Sequence, residues 1–97
     1  MYISCIIIAH VVDKEMVSIR ARIVYLGQIG KRLDGPAIGK LLAKFFENCE
    51  KEGFVPIVDC SGVTYIGKGV TNAMKLYQKP KLLVLANAND KVKKAFD

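Results

Sequence analysis

The sequence predicts a single α/β domain: a mixed, mostly parallel sheet of about four strands with helices packed mainly on one face. Three observations carry this reading. The length of 97 residues suits one compact domain rather than two. Two strand-like runs open the chain with only a short polar break between them, the signature of an antiparallel hairpin. After residue 27, helix-like and strand-like apolar periods alternate, and that alternation implies parallel strands joined by right-handed crossovers.

Residues 2–12, rich in β-branched side chains, form the first strand. Asp13, Lys14 and Glu15 are the break. Residues 16–26 then alternate, with Val17, Ile19, Ala21, Ile23 and Tyr25 on the face expected to be buried. Ser18, Arg20 and Arg22 take the other face, and Gly27 and Gly30 close the segment.

Asp34-Gly35-Pro36 starts a helix, with Asp34 able to accept backbone N–H bonds and Pro36 tolerated in the first turn. Ile38, Leu41, Leu42, Phe45, Phe46 and Cys49 form its apolar stripe, and Gly53 stops it. Residues 54–60 are a short, nearly all-apolar strand with Pro56 near its start. Ser61–Lys68 is expected as a loop, and Gly69–Lys79 as a second helix ended by Pro80. Lys81–Ala86 is the last strand, and Asn89 caps a short helix that turns Val92 and Phe96 inward. The expected core is Ile6, Ile8, Ile19, Ile23, Leu41, Leu42 and Phe45 from the first half. Ile57, Val58, Ile66, Met74, Leu83, Leu85 and Phe96 complete it.

Composition narrows the function classes. A hydrophobic fraction of 52% with 25% charged residues fits a globular protein and not a disordered one. The longest unbroken apolar run, Cys5–Ala9, is strand-length, whereas a membrane span needs about 20 residues. The first residues lack the basic leader of a secretory signal, so the expected compartment is the cytoplasm. Cys5, Cys49 and Cys60 are too far apart for a zinc knuckle or redox motif and read as reduced thiols. The net charge of +6 permits an acidic partner without demanding one.

Gly62–Gly69 comes close to the phosphate-cradling loop G-x-x-x-x-G-K-[ST], and it lies between a strand and a helix as that motif requires. Gly69 nevertheless stands where the magnesium-binding hydroxyl belongs, and Val63, Tyr65 and Ile66 are too bulky for a nest of amides. The segment reads instead as a turn whose apolar residues plug the core. Asp59 is the one acid beside this loop, and capping the turn is its expected role. With a single histidine, His10, and no convergent nucleophile, base or metal set, no enzyme, cofactor or metal is expected.

The stretch Ile57-Val58-Asp59-Cys60-Ser61-Gly62-Val63-Thr64-Tyr65-Ile66 strongly resembles the STAS family, the fold of bacterial anti-sigma factor antagonists. Gly30–Asp34 with the helix after it looks like the family's G-x-L-D loop and first helix. Leu82–Asn87 followed by Val92 and Phe96 resembles its closing segment. The resemblance covers roughly residues 17–97. It implies a non-catalytic regulatory domain that docks on a kinase-like anti-sigma factor, with a homodimer left open. The implied contact residues are Ser61, Gly62, Thr64, Gly67, Lys68, Gly69 and Thr71.

Two departures matter. Antagonists carry a phosphorylated serine or threonine at the start of the second helix, where this chain has Gly67-Lys68-Gly69. Thr71 is the nearest substitute hydroxyl. The family also continues into a further strand and helix, and here that strand is expected to be either missing or replaced by the long N-terminal strand. A shorter resemblance runs from Gly67 to Asn89, which looks like the kink-turn RNA-binding ribosomal proteins. It implies phosphate contacts at a helix N-terminus, with nucleic acid the less favoured partner.

Overall fold

The computed structural model describes residues 3–78 and 84–96. β1 (Ile3–Val12) and β2 (Glu15–Tyr25) form an antiparallel hairpin. Asp13 and Lys14 turn it with φ of 51° and 68°, both left-handed, so the connection is a two-residue turn rather than a three-residue break. β3 (Arg32–Leu33) precedes α1 (Pro36–Glu52) and β4 (Val55–Asp59). β5 (Tyr65–Ile66), α2 (Lys68–Gln78), β6 (Val84–Ala86) and α3 (Asp90–Phe96) complete the order. The main sheet runs β1-β2-β4-β6, antiparallel at the hairpin and parallel elsewhere. The mixed, mostly parallel α/β fold expected from the sequence is therefore the observed one.

α1 ends as its sequence dictates. Gly53 adopts φ 77°, the amide of Phe54 donates to Cys49 O at 2.8 Å, and that of Gly53 donates to Glu50 O. This pairing satisfies carbonyls that the last helical turn leaves without partners. Pro36 occupies the first turn, but Gly35, not Asp34, is the N-cap, and Asp34 Oδ1 accepts the Gly35 amide instead. α3 is capped by Asn89, whose Oδ1 accepts the Val92 amide at 2.8 Å.

The core lies between the helices and one sheet face. Val24, Val58 and Leu85 share that face by register, and Val24 and Val58 are fully buried against Leu42, Phe46, Val70, Met74 and Val92. Leu42, Phe45, Val58, Ile66 and Met74 are buried as expected. Ile23, Ile57 and Leu85 are only half-buried.

The hairpin departs from expectation. Ile6, Ile8 and Ile19, expected in the core, are 37%, 43% and 41% exposed. Register supplies the reason. β4 pairs with β2 only from Ala21 to Tyr25, so Ile8 and Ile19 lie where the sheet has no third strand, while Ile6, opposite Ala21, stands on the face away from the helices. The odd-numbered face of β2, expected inward, is also the one turned away from the helices, and of its five named residues Ala21 alone is fully buried. The even face carries Val24 into the core and stacks Arg20 and Arg22 on Phe54, with guanidinium carbons 4.2 and 4.1 Å from the ring centroid. Leu41 is exposed as well, at the margin of the α1 stripe beside β1. Leu83 and Pro80, with the side chains of His10, Tyr77 and Phe96, lie outside the described residues.

Candidate functional site

Parallel strands end together at one edge of the sheet, and the crevice beyond their carboxyl ends is where such sheets usually receive ligands. Here that crevice has a volume of about 340 Å³ and is lined by Tyr25, Gly27, Gln28, Asp59, Ser61 and Asn87. The loop after β4 forms one wall. Asp59 caps the turn, as expected: Oδ1 accepts the Ser61 amide at 2.8 Å and Oδ2 accepts Asn87 Nδ2 at 3.1 Å. Both carboxylate oxygens are thus engaged in holding the loop.

The loop is braced from two sides. Toward β6, the Cys60 amide donates to Ala86 O at 2.9 Å, and Asn89 Nδ2 donates to Val63 O at 3.2 Å. Toward β3, the amides of Thr64 and Tyr65 both donate to Lys31 O, which also accepts Thr64 Oγ1 at 3.0 Å. The segment expected as a simple loop therefore contains β5, which pairs in parallel with β3 as a second small sheet. Val63 and Ile66 are buried and plug the core, and Tyr65 lies under the guanidinium of Arg32, 4.6 Å from its ring centroid.

The seven residues implied by the resemblance separate into two groups. Ser61, Gly62, Thr64, Lys68 and Gly69 are exposed along one ridge running from the crevice to the start of α2. Gly67 and Thr71 are buried beneath it. Thr71 is 5% exposed, and its hydroxyl lies 3.3 Å from Gly67 O and 3.2 Å from Lys68 O, bonded back into its own helix.

The missing side chains of Gly67 and Gly69 make room within this chain. A Cβ at 67 would collide with Asp34, and a Cβ at 69 would come within 3.3 Å of Gly35 O. From the other helix, a Cβ at Gly39 would stand 2.7 Å from Gly69 O. The first turns of α1 and α2 therefore approach backbone to backbone.

Sequence reasoning missed Tyr25, Gly27, Gln28, Asn87 and Lys31. The rule that sites gather at the carboxyl ends of parallel strands would have found the first four. Lys31 contributes through its backbone carbonyl, which no side-chain pattern reveals. Among the described residues, no group of three or more metal-ligating side chains is gathered, and no helix is long and apolar enough to cross a membrane. No protein-family model, curated protein or solved structure matches this chain.

Proposed function

We propose that the chain is a STAS-like, non-catalytic regulatory domain of the cytoplasm that binds another protein. The proposed partner is a kinase-like anti-sigma factor, and the proposed contact is the ridge of Ser61, Gly62, Thr64, Lys68 and Gly69. The observation that carries this reading is the bracing of the loop. Hydrogen bonds to Lys31, Leu33, Ala86 and Asn89 hold the segment rigid while its outer side chains stay exposed. A surface already ordered before docking loses little conformational entropy on binding. Gly67 and Thr71 serve from beneath, by letting α2 start against Asp34 and by anchoring its first turn.

Charge supports an acidic partner. Lys31, Arg32 and Lys68 are exposed around the same ridge, and complementary charge speeds encounter and selects partners. Lys68 and Gly69 stand where the resemblance puts the phospho-acceptor, so the proposed binder is constitutive rather than switched. Titration calorimetry of the wild type and Lys68→Glu against the isolated partner tests this. The substitution is expected to weaken binding by about tenfold, the worth of one interfacial charge contact. Unchanged affinity for both Lys68→Glu and Ser61→Asp would move the interface off this ridge.

The same basic residues favour one second reading, a small RNA-binding protein like the kink-turn ribosomal family. Phosphate binding would then fall steeply with salt, with a slope set by the number of lysine and arginine contacts. An absent RNA shift at low salt removes that reading.

A further inference from the structure

We infer that β1 is a dimerisation edge, along which two copies of this chain pair antiparallel about a two-fold axis to make one continuous eight-stranded sheet. The strand lies at the end of the sheet order, with β2 on one side only. A two-residue turn makes Val12 and Glu15 a hydrogen-bonded pair. Alternation down the ladder then points the N–H groups of Cys5, Ile7, Ala9 and Val11 outward. Solitary proteins protect such an edge with charge, proline, a bulge or a very short strand. From Ile3 to Val12 there is no Lys, Arg, Asp, Glu, Pro or Gly, and the ten-residue register to β2 is unbroken.

Exposure and shape choose a second copy as the occupant. The large aliphatic side chains of the hairpin, from Ile3 to Ile19, are each 37–73% exposed. Six of them, Ile3, Ile6, Ile7, Ile8, Val11 and Val12, stand on β1 itself, beside the edge that a second copy would pair with. Antiparallel pairing centred on Ile7, whose N–H points outward, sets the hairpin tip of each copy beside the base of the other. Val11, backed by its ladder neighbour Met16, is 63% exposed on the helix side of the sheet. At the base on that same side lies a cleft of about 130 Å³ lined by Ile3, Arg22, Leu41, Lys44, Phe45 and Asn48.

A two-fold axis perpendicular to the sheet keeps both helix sides together, so each Val11 meets the other copy's cleft and covers its exposed Leu41. Charge agrees: the tip carries Asp13 and Glu15 around Lys14, and the cleft rim carries Lys44. The chain's excess of +6 leaves β1 itself uncharged, so the two copies do not repel along the seam. The contact is isologous and therefore closes at two copies. The crevice beside Ser61 opens at the ends of β2, β4 and β6, whereas the seam runs along the outer edge of β1.

Sedimentation equilibrium across micromolar to hundreds of micromolar protein decides the matter, with circular dichroism as the folding check. The wild type is expected at twice the 10.7 kDa chain mass. Ile7→Lys, which sets two ammonium groups together near the axis, is expected to weaken dimerisation by about 100-fold. Ala9→Pro, which removes an outward donor, is the second variant. A wild type that stays monomeric overturns the inference, as does a dimer that both variants leave intact. A monomer that sediments with anionic lipid vesicles also overturns it and assigns the hairpin to a lipid surface. Should either variant fail to fold, amide exchange on the wild type decides. Protection of the Ile7 and Ala9 amides that fades on dilution supports the edge, and fast exchange at dimer concentrations refutes it.

Discussion

The amide of Gly67 donates to the carbonyl of Leu33 at 2.7 Å, and the absent side chain of Gly67 is the space that Asp34 fills. One residue thereby joins the start of α2 to the strand before α1.

That closeness sets the first prediction. Gly67→Ala forces a methyl group against Asp34, and is expected to destabilise the fold by about 1–3 kcal/mol, the usual cost of overpacking. Asp34→Ala removes the carboxyl group and is expected to restore part of the loss, leaving the 3.3 Å approach to the Asp34 backbone. Urea denaturation of both single variants and the double variant measures the coupling. Additive effects would show that the two residues do not crowd one another.

The hairpin turn offers a gain. Lys14 holds φ 68°, a conformation that costs a residue with a Cβ roughly 1–2 kcal/mol and costs glycine little. Lys14→Gly is expected to raise stability by about 0.5–1 kcal/mol after the extra chain entropy of glycine. An unchanged or lower melting temperature would contradict the turn geometry.

The three thiols should behave differently. Burial pushes Cys49 and Cys60 up to about 11, while Cys5 is exposed on β1. Ellman's reagent at neutral pH is expected to titrate Cys5 promptly and the other two only after denaturation. The sign of the pH dependence follows. Above about pH 9 the unfolded chain sheds thiol protons that the folded chain retains, so Cys49 and Cys60 make stability fall as pH rises from 9 toward 11. Their contribution is constant below that window. A Cys49→Ala, Cys60→Ala double variant is expected to lose this part of the decline.

Thr71 is expected to remain unphosphorylated by serine and threonine kinases, because its hydroxyl is buried and turned back on its own helix. Intact-mass and peptide mass spectrometry after kinase treatment check this. Thr71→Val is expected to fold with a change of less than about 1.5 kcal/mol, since it removes a modest back-bond and keeps the shape. Thr71→Asp places a charge without a partner in the same site and is expected to cost several kcal/mol.

Much of this protein was legible in its sequence because the deciding interactions are local. The spacing of Leu42, Phe45, Phe46 and Cys49 marks the buried stripe of α1, and Gly53 marks its end, since both depend on helix geometry within a few residues. Asp59 and Asn89 cap segments that begin two and one residues after them. Val63 and Ile66 were expected to plug the core from a loop too apolar for a phosphate nest, and they do.

Only the tertiary structure decided which face of β2 is covered. Period two divides the strand into two faces, but the choice between them rests on where α1 docks, and Phe54 draws Arg20 and Arg22 to the helix side. Only the structure could show that β4 begins opposite Ala21 and leaves Ile8 and Ile19 beyond it, and that Ile6 stands on the face away from the helices. The same holds for Gly67 and Gly69, whose neighbours Asp34 and Gly35 lie more than thirty residues away along the chain. A sequence displays a glycine's freedom, but it does not display which distant backbone will occupy the space.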